Sequence, residues 1–201
     1  MSSDMFGTKA LPDQKITGVA AGIVTDNKDP ENMGRVKVMV SRISGEDESN
    51  WARVCSFMAG NDRGGFFLPE IDDEVLVAFE NGNVDCPYVI GCLWNGKDAL
   101  PKENSDDDIR LIKSRSGHLI ILDDTDGAEK IEIKDGSGET MIAFETSDKK
   151  ITIESGQDIE ISASNGKVTI DAKEIEIKSS DAMKIEAGSD LDLKGETVNI
   201  N

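Results

Sequence analysis

The sequence predicts an all-β protein: a small closed barrel followed by a repetitive β rod. Three observations predict it. Residues 16 to 95 hold short valine-rich segments with strand alternation and no helical period. From Ile131 onward, apolar-x-apolar units recur about every eight residues, and from Ile151 their starts fall 8, 9, 7, 8, 8 and 7 residues apart. Aromatics make up only 4% of the chain, and after residue 100 only Phe144 remains. The first half therefore has the material for an ordinary core, and the second must bury aliphatics alone.

The segments follow in order. Residues 1–15 are polar with scattered Gly and Pro and read as an N-terminal arm. Ile16 to Val24 is a glycine-punctuated strand, and Asp26 to Gly34 is a turn containing Asp29-Pro30 and Asn32-Met33-Gly34. Arg35 to Val40 alternates strictly, with Val36, Val38 and Val40 on one face. Trp51 to Cys55, Glu74 to Phe79 and Tyr88 to Trp94 are further strands, with a loop at Asn61–Gly65 and a turn at Asn81-Gly82. About five strands in 16–95 suggest an OB-fold barrel, the commonest five-stranded option. Residues 96–108, with Pro101 and the run Asp106-Asp107-Asp108, form a short hinge with no room for an inserted catalytic domain. Residues 109–201 are the repeat region, opening with the longer units Ile109–Ile112 and His118–Leu122.

The repeat positions form the expected core of the rod: Ile131, Ile133, Ile151, Ile153, Ile159, Ile161, Val168, Ile170, Ile175, Ile177, Met183, Ile185, Leu191 and Leu193. Turn formers such as Gly156, Asn165-Gly166, Gly188 and Gly195 separate them. Burying one such pair is worth about 3 to 6 kcal/mol. Ordering eight residues costs about 8 to 16 kcal/mol in backbone entropy. A lone unit cannot fold, and eight residues is one strand and a corner. Three chains, each supplying one side, would enclose a triangular aliphatic core and remove exposed edges. The expected architecture of 109–201 is thus an intertwined homotrimeric β-helix, a triangular prism. The competing arrangement is a monomeric antiparallel sheet.

The net charge is −18 with a pI near 4.4. That excludes nucleic acid as the expected partner, because phosphate binding needs a basic face. It also disfavours an anionic membrane surface. The three cysteines, Cys55, Cys86 and Cys92, read as buried thiols in a reducing compartment. No secretory signal or membrane-length apolar run is present, so synthesis in the cytoplasm is expected.

No catalytic, cofactor or metal site is expected. His118 is the single histidine and reads as structural or solvent-facing. Asp123-Asp-Thr-Asp-Gly127 superficially suggests a calcium loop, but Lys134 stands where the distal bidentate Glu would be. The segment reads as a turn. Asn61–Gly65 is a loop that in an OB barrel could meet a ligand or a neighbouring subunit.

Val54 to Glu80, Pro87 to Asn95 and Ser116 to Gly127 resemble the contractile-tail spike family. That family includes phage baseplate assembly protein V, the T4 cell-puncturing spike, VgrG of type VI secretion and the spikes of extracellular contractile injection systems. The resemblance covers about residues 16 to 201. It implies a non-enzymatic, membrane-puncturing homotrimer in the baseplate of a phage-tail-like particle. On firing or release it would be delivered to the target cell envelope or be extracellular, and it meets the envelope only by mechanical piercing. About 15 residues precede the barrel, so the baseplate hub is expected as a separate protein. Val198, Asn199, Ile200 and Asn201 are expected to bind a PAAR-type tip protein. The alternative is a glycan-binding OB barrel on a fibrous stalk, as in an adhesin or tail fibre.

Overall fold

The computed structural model describes residues 15–41, 47–103 and 107–200. Arm residues 1–14, hinge residues 104–106 and the tip residue Asn201 lie outside the described residues. The described chain is all-β, with a single 3₁₀ turn at Glu80–Gly82 and no α-helix.

Strands β1 (Val19–Asp26), β2 (Arg35–Met39), β3 (Ala52–Val54), β6 (Glu74–Phe79) and β7 (Pro87–Leu93) close into a barrel in the order β1-β2-β3-β7-β6. All pairings are antiparallel except β3 with β7, which run parallel. The barrel is consistent with an OB-fold. A short hairpin, β4 (Ala59–Gly60) with β5 (Arg63–Gly64), projects between β3 and β6. Sequence alternation did not reveal it, because strands of two residues carry no period.

The barrel core is almost all valine: Val24, Val36, Val38, Val40, Val75, Val77 and Val89 with Ala52. β-branched side chains suit the pleated inner surface of so small a barrel. Most of the described aromatics lie outside it. Phe57, Phe66, Phe67 and Trp94 are exposed, and only Phe79 packs against the core. The expectation of buried thiols is corrected, since Cys55, Cys86 and Cys92 are all free and exposed. Cys55 and Cys86 flank β3 and β7. Cys92 lies beyond the register shift in the β6–β7 pairing that follows the core residue Val89.

The second sheet is a five-stranded antiparallel meander: β8 (Ile109–Lys113), β9 (Leu119–Asp123), β10 (Lys130–Lys134), β11 (Met141–Glu145) and β12 (Lys150–Glu154). The sequence pattern missed β11 because its Ile142–Phe144 pair is hidden in the apolar run Met-Ile-Ala-Phe. The chain divides into two compact units at Glu154/Ser155. In the second, residues 155–200 form no hydrogen-bonded strand.

Candidate functional site

The β1–β2 loop of the barrel is organised by Asp29, which is 8% exposed. Its carboxylate accepts hydrogen bonds from the backbone N–H groups of Glu31, Met33 and Arg35. Arg35 adds a bidentate pair, Nε at 2.9 Å and Nη2 at 2.7 Å. The Arg35 guanidinium, helped by the backbone donors, holds the Asp29 carboxyl well below the usual carboxylate range. On its other side Arg35 lies 6.0 Å from the Trp51 ring centre, and Lys37 lies 5.5 Å from it. Gly34, at φ 68°, passes under Phe66, where a Cβ would come within 2.9 Å of Cε2. The sequence marked this segment only as a turn. Asp29, followed by Pro30 and two residues on by Asn32, was the available signal of a side chain capping its own loop.

The candidate sites weighed from the sequence find structural roles. His118 Nδ1 accepts the Gly136 N–H at 3.2 Å, joining two turns of the meander. A Cβ on Gly136 would lie 2.2 Å from the Ser116 carbonyl oxygen, so only glycine fits there. Asp123 spends its carboxylate on the Thr125 hydroxyl and N–H, and these bonds lower its pKa. The Asn61–Gly65 loop is the tip of the β4–β5 hairpin, with Phe57, Met58, Phe66 and Phe67 exposed around its base.

The meander has an unusual surface. Ile112, Ile120, Ile133, Ile142 and Ile153 stand in register across all five strands. Leu122, Ile131, Phe144 and Ile151 form a second row on the same face. All nine side chains are exposed. Leu119, Ile121 and Ala143 on the opposite face are buried, and Glu132 there pairs with Lys130 and Lys134. Four sequence-predicted core positions, Ile131, Ile133, Ile151 and Ile153, therefore come together on one open apolar face. Ile112, Ile120, Leu122, Ile142 and Phe144 belong to it and were not singled out. A contiguous exposed apolar face of this size marks an interaction surface.

In residues 155–200 the exposure of the side chains follows the period of the sequence. The first members of the pairs, Ile159, Val168, Ile175, Met183, Leu191 and Val198, are 51–56% exposed, and the second members, Ile161, Ile170, Ile177, Ile185, Leu193 and Ile200, are 63–86% exposed. Among the described residues here the one backbone–backbone hydrogen bond is Gly166 N–H to Ala163 O, at 3.2 Å. This chain alone does not bring these side chains into a core.

Residues 20–94 match the family model described as the type VI secretion system/phage-baseplate injector OB domain. The type VI secretion system spike protein VgrG4b of Pseudomonas aeruginosa is 32% identical over 140 residues, covering 65% of this chain and 17% of the relative. VgrG5 of the same species is 35% identical over 91 residues, 43% of this chain and 12% of the relative. VgrG3 of Vibrio cholerae is 29% identical over 111 residues, 50% of this chain and 11% of the relative. The chain thus spans less than a fifth of the length of these spike proteins. The barrel, residues 20–94, carries the match to this injector OB domain, and the chain is similar there to contractile-tail spike proteins.

Proposed function

We propose that three copies of this chain form the non-enzymatic central spike of a contractile injection apparatus. Residues 16–95 serve as the barrel, 1–15 and 96–108 as arm and hinge, and 109–201 as the rod. At each level of a three-sided rod each copy contributes one side, with the paired positions from Ile131 to Leu193 turned to the axis. The observation that carries this reading is the repeat over 155–200. Its sequence is periodic, its apolar pairs are bare and its backbone is without a ladder. Strands of this kind are stable only with partners. The apolar face of the meander supports it, since nine exposed large side chains need cover.

The mechanism is stiffness. An interlocked rod passes axial force from a contracting sheath without buckling. Its exterior, three times −18 or −54 in charge, keeps it from associating with anionic surfaces. A baseplate hub and a PAAR-type tip protein held by Val198–Asn201 are the partners the family resemblance implies. The particle would be assembled in the cytoplasm and carry the spike to the target envelope.

Light scattering on a sizing column tests the reading. The expected mass is near three times 21.7 kDa, with early elution from an elongated shape. A compact monomer would overturn it and bring forward the glycan-binding barrel.

A further inference from the structure

The repeat carries a charge pattern that its apolar pairs do not explain. When the octads are aligned on those pairs, the residue between the two apolar positions and the residue after them point to the opposite face. Glu176, Lys184 and Asp192 succeed one another at the first position. Asp171, Lys178, Glu186 and Lys194 succeed one another at the second. The sign alternates at every step of both columns.

The meander already uses this device. Asp123, Lys130, Glu145 and Lys150 stand in register across β9, β10, β11 and β12, alternating in sign. Lys150 Nζ reaches Glu145 at 3.1 Å. Those strands are antiparallel. Extending the antiparallel meander through the repeat would fail, because it sets Asp171 against Glu174 and Glu186 against Asp190 across their turns. Like charges placed opposite one another destabilise a sheet. Parallel strands in which each octad lies beside the next satisfy both columns without a like-charge contact.

One chain cannot place consecutive octads side by side in parallel. That needs a crossover of a dozen residues or more, and the connectors between apolar pairs here are four to six residues long. On a three-sided rod the obstacle vanishes. Each octad covers one side and the chain turns to the next. By three-fold symmetry, the strand adjacent on any side is then the next octad of a neighbouring copy.

We infer that the outward charges of residues 171–194 form an interchain ladder that sets the strands of three copies parallel, each octad beside the next octad of a neighbouring copy. This rests on the trimeric rod proposed above. Lys178 of each copy sits between Asp171 of one neighbour and Glu186 of the other. In the single chain the same groups pair along their own strands instead, Lys178 with Glu176 at 2.7 Å and Lys184 with Glu186 at 2.5 Å.

The test is a pair of swaps in the full chain. Glu176→Lys with Lys178→Glu keeps composition, net charge and the within-strand pair, but sets residue 178 as an acid between two acids and residue 176 beside Lys184. Lys184→Glu with Glu186→Lys does the same one octad on. Each swap should lower the melting temperature of the trimer by about 5 °C or more. In molar salt the loss should shrink. Combining the swaps restores the contacts between the two octads, so the fourfold variant should melt above the sum of the two losses. If one swap prevents assembly, the fourfold variant should recover it. A trimer in which the swaps are neutral or simply additive would overturn the ladder and leave the spike standing. A monomeric wild-type chain would sink both.

Discussion

The barrel and the repeat solve opposite problems with similar residues. The barrel closes on itself. Its five strands satisfy one another's backbones, and seven valines and an alanine are buried within a single chain. The repeat is as rich in aliphatic side chains, yet leaves them bare, with every apolar pair from Ile159 to Ile200 more than half exposed. The meander stands between these extremes, with complete internal pairing but one apolar face open. Apolar content alone therefore does not build a core. What differs is whether the connections let a chain fold back and close, as the barrel does through its longer loops. A short repeat of one strand and a corner leaves its apolar groups uncovered by its own chain.

That contrast can be broken at its strongest point first. Ile170→Asp would put one charge per copy at the same level of the proposed axis, where burying unpaired charge is prohibitively costly. The expected outcome is loss of the trimer, or insoluble protein, by light scattering. A stable trimer would show that Ile170 does not face the axis.

Val77→Ala probes the self-sufficient region. It removes two methyls from a fully buried site and should destabilise the barrel by about 2 kcal/mol, read as a shift in the denaturant midpoint. The oligomeric mass should not change. If the mass falls with it, barrel and rod are not energetically separate.

Asp29→Asn tests the charged clamp of the β1–β2 loop through pH. The native pKa of Asp29 lies below its unfolded value of about 3.9. Its contribution is therefore complete above pH 4 and is lost as the pH falls toward the native pKa. The stability gap between wild type and variant should be widest near neutrality and narrow in acid. A gap independent of pH would mean that the clamp acts by shape and not by charge.

His118→Ala should have the smallest effect. It removes one acceptor from an exposed turn, costing about 0.5–1 kcal/mol, with no change in assembly. A loss of trimer here would place the turn in an interface.

Much of the barrel was legible because its strands alternate. Glu74–Phe79 and the valines of β2 could be read directly from a period of two. The β4–β5 hairpin was not legible, since two-residue strands have no period. β11 was hidden because Ala143 sits where its neighbours carry charged or polar residues, so the alternation is blurred. The thiols were misread because Cys55 and Cys86 fall just beyond the ends of β3 and β7 and Cys92 beyond the β6–β7 register shift, which no local pattern encodes. Of the candidate site, the repeat positions were visible as a period. The joining of Ile112, Ile120 and Ile142 to them was invisible, because it depends on cross-strand register.

By itself, the sequence determined the all-β class, the division between a valine-patterned half and an octad half, and the acidic exterior. These follow from local alternation, spacing and composition, which are properties of neighbouring residues. Only the tertiary structure decided that Phe57, Phe66, Phe67, Trp94 and the thiols are exposed, that Asp29 and Arg35 close the first loop of the barrel, and that nine large side chains of the meander share one bare face. Each of these depends on which distant strands pair and in what register. A shift of one residue in that pairing turns a whole strand's side chains to the other face.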